Sequence, residues 1–191
     1  MPRLFTAVEL PEALRERLSN LEAPLPGARW VHEDNLHITL RFAGDIDNRI
    51  ADEFASALAG IEQDPFSLRL TGLGAFGGND PRVLYANVAP SAALDAMARA
   101  HERAARNAGL PAEGRTFKGH VTLARLRHAR PDTVARFLQR HGAFRSEPFA
   151  VTRFVLLSSR PKTGGGPYVE EEVFPLGRGG LASTGGVDGG W

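Results

Sequence analysis

The chain has no cysteine, so disulfides and thiolate-held metals are excluded. It has no uncharged apolar run long enough to span a membrane, and the N-terminal "MPRLFTAVELPEALRERL" lacks the apolar stretch of a signal peptide. HExxH and HxxxH, the helical metal-ligand spacings, are also missing. Lysine is nearly absent: 23 residues are basic, and only Lys118 and Lys162 are lysines. Beside abundant Ala and Gly, that skew reads as base composition more than as selection for guanidinium chemistry. These absences leave a globular protein of 191 residues, expected in the cytoplasm, long enough to bury a real core.

What is present is arranged unevenly. Residues 9–64 carry twelve acids against five arginines, whereas residues 99–130 carry eight bases against two acids. The basic segment would suit an anionic partner, although a solvated helix face and loop would look the same.

The chain also repeats itself. "HITL" at His37–Leu40 recurs 83 residues later as "HVTL" at His120–Leu123. The same offset carries Phe54 to Phe137, and "DPF" at Asp64–Phe66 to "EPF" at Glu147–Phe149. Further upstream the offset is 79, pairing Pro11 with Pro90. Six histidines and nine threonines would give about 0.3 His-x-Thr pairs by chance, so two at a shared offset indicate a duplicated unit.

Each unit reads alike. Strands are expected at 3–10, 35–44 and 66–76, with helices at about 11–21 and 50–61; then strands at 82–88, 120–126 and 149–158, with helices at 91–108 and 131–141. Residues 168–176 form a last extended piece without a counterpart. The expectation is an α+β fold of two pseudo-symmetric lobes, each an antiparallel-type sheet with helices on its outer face, meeting at a central cleft. It forms one bilobal domain over 1–176, built from an internal duplication. Seven glycines in residues 177–191 mark a disordered tail.

Strand alternation puts His37, Thr39 and Arg41 on one face, with Ile38, Leu40 and Phe42 on the other; His120 and Thr122 oppose Val121 and Leu123. Imidazole and hydroxyl are thus turned away from the apolar side. Two imidazoles facing one phosphate could serve as general base and general acid, and two hydroxyls could hold its nonbridging oxygens. Neither motif strand carries a carboxylate on its histidine face, which argues against a metal site. His101 and His141 continue apolar helical stripes and are expected at the core's edge, while His32 and His128 fall in loops.

"NLHITLRFAG" and "KGHVTLARL", with "ARWV" before the first and "GGGPYVEEEVFPL" near the end, resemble the 2H phosphoesterases, and among them the RNA 2',3'-cyclic phosphodiesterases, also called 2'-5' RNA ligases. The resemblance spans roughly residues 3–176. It implies a bilobal fold with a central cleft, no metal and no cofactor, and opening of a 2',3'-cyclic phosphate at an RNA end to a 2'-phosphate. Ligation, or 2',5'-phosphodiester cleavage, is the alternative activity, and a noncatalytic RNA-end-binding module the alternative class. The partner implied is the RNA end alone, with no membrane and no obligate protein partner, the protein acting as a monomer. By the resemblance His37 is the proton donor, His120 the proton acceptor, and Thr39 and Thr122 hold the phosphate. Arg125 completes an HxTxxR form, and Phe42 in the matching position offers a surface for a base. Five residues from His120, Arg125 faces the wrong side of a regular strand; it reaches the site only if the strand bulges or ends. Gly119 stands where the family usually has proline.

Overall fold

The computed structural model describes residues 3–159 and 167–177; all but Gly177 of the expected tail at 177–191, and the glycines 164–166, lie outside the described residues. Ten strands and four helices are present: β1 (Arg3–Glu9), α1 (Glu12–Ser19), β2 (Ala28–Trp30), β3 (His37–Asp45), α2 (Asn48–Ala59), β4 (Phe66–Leu68), β5 (Leu70–Phe76), β6 (Val83–Val88), α3 (Ala92–Asn107), β7 (His120–Leu126), α4 (Pro131–His141), β8 (Phe149–Val151), β9 (Arg153–Ser159) and β10 (Val169–Pro175). The helix starts follow local chemistry. Asp47 and Ser91 cap α2 and α3 by accepting from Ile50 N and Leu94 N, and α4 opens on Pro131, whose missing N–H is not needed there. Among the described residues, no helix is long and apolar enough to cross a membrane.

All strand pairs are antiparallel, as expected for this α+β fold. The two halves do not keep separate sheets. They merge into one sheet in the order β10-β9-β1-β3-β7-β6-β5, with β2 also paired to β7. The last strand of each repeat unit crosses over, so that β9 pairs with β1 and β5 with β6. The expected strands 66–76 and 149–158 each break in two, at Arg69 and at Thr152, positions 83 apart. β4 and β8 leave the main sheet and pair with one another. The strand register sets Glu9 opposite His37 and Asn87 opposite His120, so β1 and β6 correspond at 78 residues, one fewer than Pro11 and Pro90.

One apolar cluster holds the sheet to its helices. Leu14 and Leu18 of α1, Phe54 and Leu58 of α2, Leu94 and Met97 of α3, and Val134 and Phe137 of α4 join Ile38, Leu40, Leu84, Ala86, Val121 and Leu123 from the strands. Burying aliphatic side chains of this size contributes about 1.5–3 kcal/mol each. The opposite face of β1 carries Phe5 and Ala7, which cluster with Val155, Leu157 and Tyr168. That second face belongs to the site.

The pairing of β3 skips Leu40, and the pairing of β7 skips Leu123, again 83 residues apart. Each is a β-bulge, which inserts one residue and reverses the facing of those that follow. In β3 the bulge is clamped by Thr6, whose hydroxyl accepts from the Arg41 amide at 3.1 Å and lies 2.8 Å from His101 Nδ1. His101 is thus fully buried in the core, not at its edge, T-shaped against Phe154, and its Nε2 has no hydrogen-bond partner. Thr6→Val would strip an acceptor from a buried amide and a hydrogen-bond partner from His101, and is expected to cost about 1–3 kcal/mol in urea unfolding. A change below about 0.5 kcal/mol would show that this hydroxyl does not hold the bulge.

Candidate functional site

The two motif strands meet at one residue pair, Ile38 opposite Val121, each fully buried. These are the central residues of the two His-x-Thr motifs. Antiparallel pairing about them sets His37 beside Thr122 and Thr39 beside His120, all on the face away from the helices. A local pseudo-twofold therefore passes between the motifs, and it brings together all four residues singled out by the sequence.

Each imidazole is oriented the same way. His37 Nδ1 lies 2.6 Å from the carbonyl of Asn35, and His120 Nδ1 lies 2.7 Å from that of Lys118. A carbonyl can only accept, so Nδ1 carries the hydrogen in both rings and Nε2 is left as the proton-exchanging atom. His37 Nε2 lies 2.8 Å from Thr39 Oγ1, and the hydroxyl donates to it. No such bond joins His120 to Thr122 among the described residues.

Aromatic rings wall both histidines, and sequence reasoning had no signal for them because they come from distant strands. Phe5 and Tyr168 stand 5.1 and 5.5 Å from the His37 ring. Phe76 and Tyr85 stand 5.1 and 5.6 Å from His120 and stack on one another at 4.1 Å. Lys118 Nζ donates to the Tyr85 hydroxyl at 2.9 Å and lies 4.9 Å from the centre of that ring, placing a cation beside His120.

The bulges decide what else reaches this face. Past Leu123, Arg125 turns onto the side of His120 and Thr122, so the bulge required of it is present. Past Leu40, Phe42 likewise turns onto the side of His37 and Thr39, where it is 49% exposed. Arg41 goes the other way. Expected beside His37, it is buried instead, donating from Nε to Glu102 at 2.6 Å and from its terminal nitrogens to the carbonyls of Phe42 and Pro111. Burial would raise the Glu102 pKa, but the Glu113 amide and Arg41 outweigh it and hold the carboxyl below its usual range.

A groove of about 600 Å³ opens along Thr39, Phe42 and His120, closed by Asp95 and Arg99 of α3 and by Arg115 and Phe117 of the following loop. His37 faces an adjoining recess of about 170 Å³ with Asp34, Leu157 and Tyr168. Thr39 lines the groove and His37 the recess, so their hydrogen bond forms the shared wall. Gly119 ends the loop in close packing: a Cβ would meet Leu94 Cδ2 at 2.8 Å, so a larger residue there would have to move the end of that side chain. The remaining histidines lie apart. His141 packs tilted against Phe137 at the core's edge, His32 accepts from Asp34 N, and His128 sits in a bend with φ of 54°. No three His, Asp or Glu residues converge to hold a metal ion among the described residues.

Burial pushes the half-buried His37 imidazole down to about 4; its bond to Asn35 opposes this, and His120 and Arg125 add positive charge that lowers it further. Burial likewise holds His101 down to about 3. An unfolded histidine titrates near 6.5. As pH falls from 6.5 the unfolded chain therefore takes up protons first, and the stability contributed by the neutral rings is lost toward pH 4 for His37 and pH 3 for His101. Urea midpoints are expected to fall between pH 7 and pH 4.5, less steeply in His37→Asn. A midpoint flat across that range would contradict the burial of both rings.

A family model described as LigT-like phosphoesterase matches residues 8–85 and 87–168. An RNA 2',3'-cyclic phosphodiesterase of Geobacillus stearothermophilus is 35% identical over 128 residues, covering 63% of this chain and 41% of the relative's own length. Another RNA 2',3'-cyclic phosphodiesterase, from Archaeoglobus fulgidus, is 27% identical over 176 residues, covering 90% of this chain and 99% of the relative. The crystal structure of E. coli LigT complexed with 3'-AMP superposes with a TM-score of 0.74 at 28% identity, covering 93% of this chain and 100% of that one.

Proposed function

The chain belongs to the LigT-like phosphoesterases, and from that premise we propose that it hydrolyses RNA 2',3'-cyclic phosphate ends to 2'-phosphomonoesters without a metal, using two histidines as general acid and base. The observation that carries this reading is the convergence of both His-x-Thr motifs on the Ile38–Val121 pair, with both Nε2 atoms left unprotonated by matching carbonyl contacts at Nδ1.

In the reaction, water attacks phosphorus in line with the departing 3'-oxygen. His120 Nε2 takes the proton from water, and His37 Nε2 gives one to the 3'-oxygen. The hydroxyls of Thr39 and Thr122 donate to the nonbridging oxygens, and Arg125 adds charge beside them. Phe42 offers its exposed face to the terminal base.

An acid must begin protonated, and in the free protein His37 is neutral at pH 7 because its pKa is pushed down to about 4. The substrate supplies the correction. A bound phosphodiester anion offsets the charge of Arg125, and draws the Thr39 hydroxyl from Nε2 to itself. Both changes favour the proton on His37, so the acid is made by the substrate it serves.

Both histidines and both threonines come from one chain, which supports action as a monomer. We place the activity in the cytoplasm, on RNA ends alone, and assign it to a single duplicated domain over 1–176.

His37→Ala and His120→Ala are each expected to lower kcat by at least about a hundredfold on an RNA with a cyclic phosphate end, with folding retained. Near-wild-type turnover of either variant would sink the paired mechanism. Full activity is expected in excess chelator. The acid limb of kcat/KM should lie near the free-enzyme His37 value of about 4, and that of kcat should lie higher, because the bound anion raises this pKa. Coincident limbs would remove the substrate's part in protonating His37.

A further inference from the structure

The face that carries the two motifs has unlike ends. At one, Phe42 lines the groove with the loop that precedes β7; at the other, Arg125 faces β2, a strand with no counterpart, since the matching region after Leu110 forms none. β2 sets Arg29 directly opposite Arg125. Directly opposed residues on paired strands share a face. Two arginines thus stand side by side on the catalytic face, both exposed, and neither has an ion-pair partner among the described residues.

Like charges so placed are destabilising, yet the backbone that holds them is firmly tied. Val31 N donates to the carbonyl of the bulge residue Leu123 at 2.9 Å, and Arg127 N donates to that of Gly27 at 2.8 Å. Gly27 itself has φ of 86° and touches the Arg127 carbonyl so closely that a Cβ would lie 2.4 Å from it. Trp30, the next residue after Arg29, packs its ring 5.8 Å from Phe137. Arg29 is therefore presented from a fixed position, one strand beyond the groups that hold the reacting phosphate.

A nucleoside 2',3'-cyclic phosphate has a single phosphoryl group, already met by two histidines, two threonines and Arg125. A further guanidinium has an anion to meet only if the substrate carries another phosphate. We propose that Arg29, paired with Arg125, forms a subsite for the internucleotide phosphate next to the cyclic end, so that this protein acts on RNA chains in preference to cyclic mononucleotides. This rests on the phosphodiesterase reading above.

The test compares kcat/KM for uridine 2',3'-cyclic phosphate with that for the dinucleotide uridylyl-uridine ending in a 2',3'-cyclic phosphate. The wild type is expected to prefer the dinucleotide by about tenfold, as one charge-assisted contact allows. Arg29→Gln should bring the ratio close to one and make the salt dependence of dinucleotide binding shallower by about 0.7 in log–log slope. A wild type without the preference, or an Arg29→Gln protein that keeps it, overturns the subsite. An equal loss on both substrates leaves the ratio unchanged and overturns it as well. The same ratio is read from dissociation constants of the two 2'-phosphorylated products. A protein inert on both cyclic phosphates would therefore sink the phosphodiesterase reading and still report on Arg29.

Discussion

The pairing of Ile38 with Val121 is the contact on which the site depends. β3 and β7 are the inner edges of two half-sheets, and this buried aliphatic pair joins them into one. A strand has period two, so anchoring the central residue of each His-x-Thr motif to the core delivers its histidine and threonine to the opposite face. Antiparallel pairing then crosses the motifs, bringing the histidine of each beside the threonine of the other. Slipping this pair by one residue would turn all four polar groups into the helices.

The bulges at Leu40 and Leu123 modify that frame in the same way in both halves, but are held differently. Thr6 and buried His101 clamp the first, and the Val31 amide clamps the second. The consequence is that the residue two past each bulge, Phe42 or Arg125, joins the catalytic face. Arg41 is meanwhile drawn down to Glu102 and serves to tie β3 to α3. One backbone device is thus used twice, and side-chain identity gives its two products different chemistry.

Much of this was legible in the sequence, for physical reasons. The shared offset, the His-x-Thr alternation and the apolar stripes of the helices are local patterns, and the structure returns α4 with its expected bounds, Pro131–His141. The crossing of β5 and β9 between halves was not legible, because pairing partners are chosen by three-dimensional closure. The breaks at Arg69 and Thr152 and the bulges at Leu40 and Leu123 were hidden too, since none carries the Gly or Pro that usually marks an interruption. The aromatic walls of the histidines had no local signal either. Phe5, Phe76, Tyr85 and Tyr168 come from β1, β5, β6 and the segment before β10.

A symmetric pair of histidines cannot by itself decide which is acid and which is base. The division has to come from what breaks the symmetry. Thr39 donates to His37 while Thr122 makes no such bond to His120; His37 is the more enclosed ring; the charge of Arg125 acts on His37, whereas Phe42 lines the groove with His120. In the free protein the Thr39 bond, the enclosure and the Arg125 charge act against a proton on His37. An anion at the pseudo-twofold reverses the electrostatic ones together, while the enclosure that lowered the pKa also strengthens the imidazolium's attraction to phosphate. In the proposed mechanism, sensitivity to the substrate's charge is therefore concentrated on His37, which is the property an acid needs if it is to be protonated only when there is a leaving group to receive the proton.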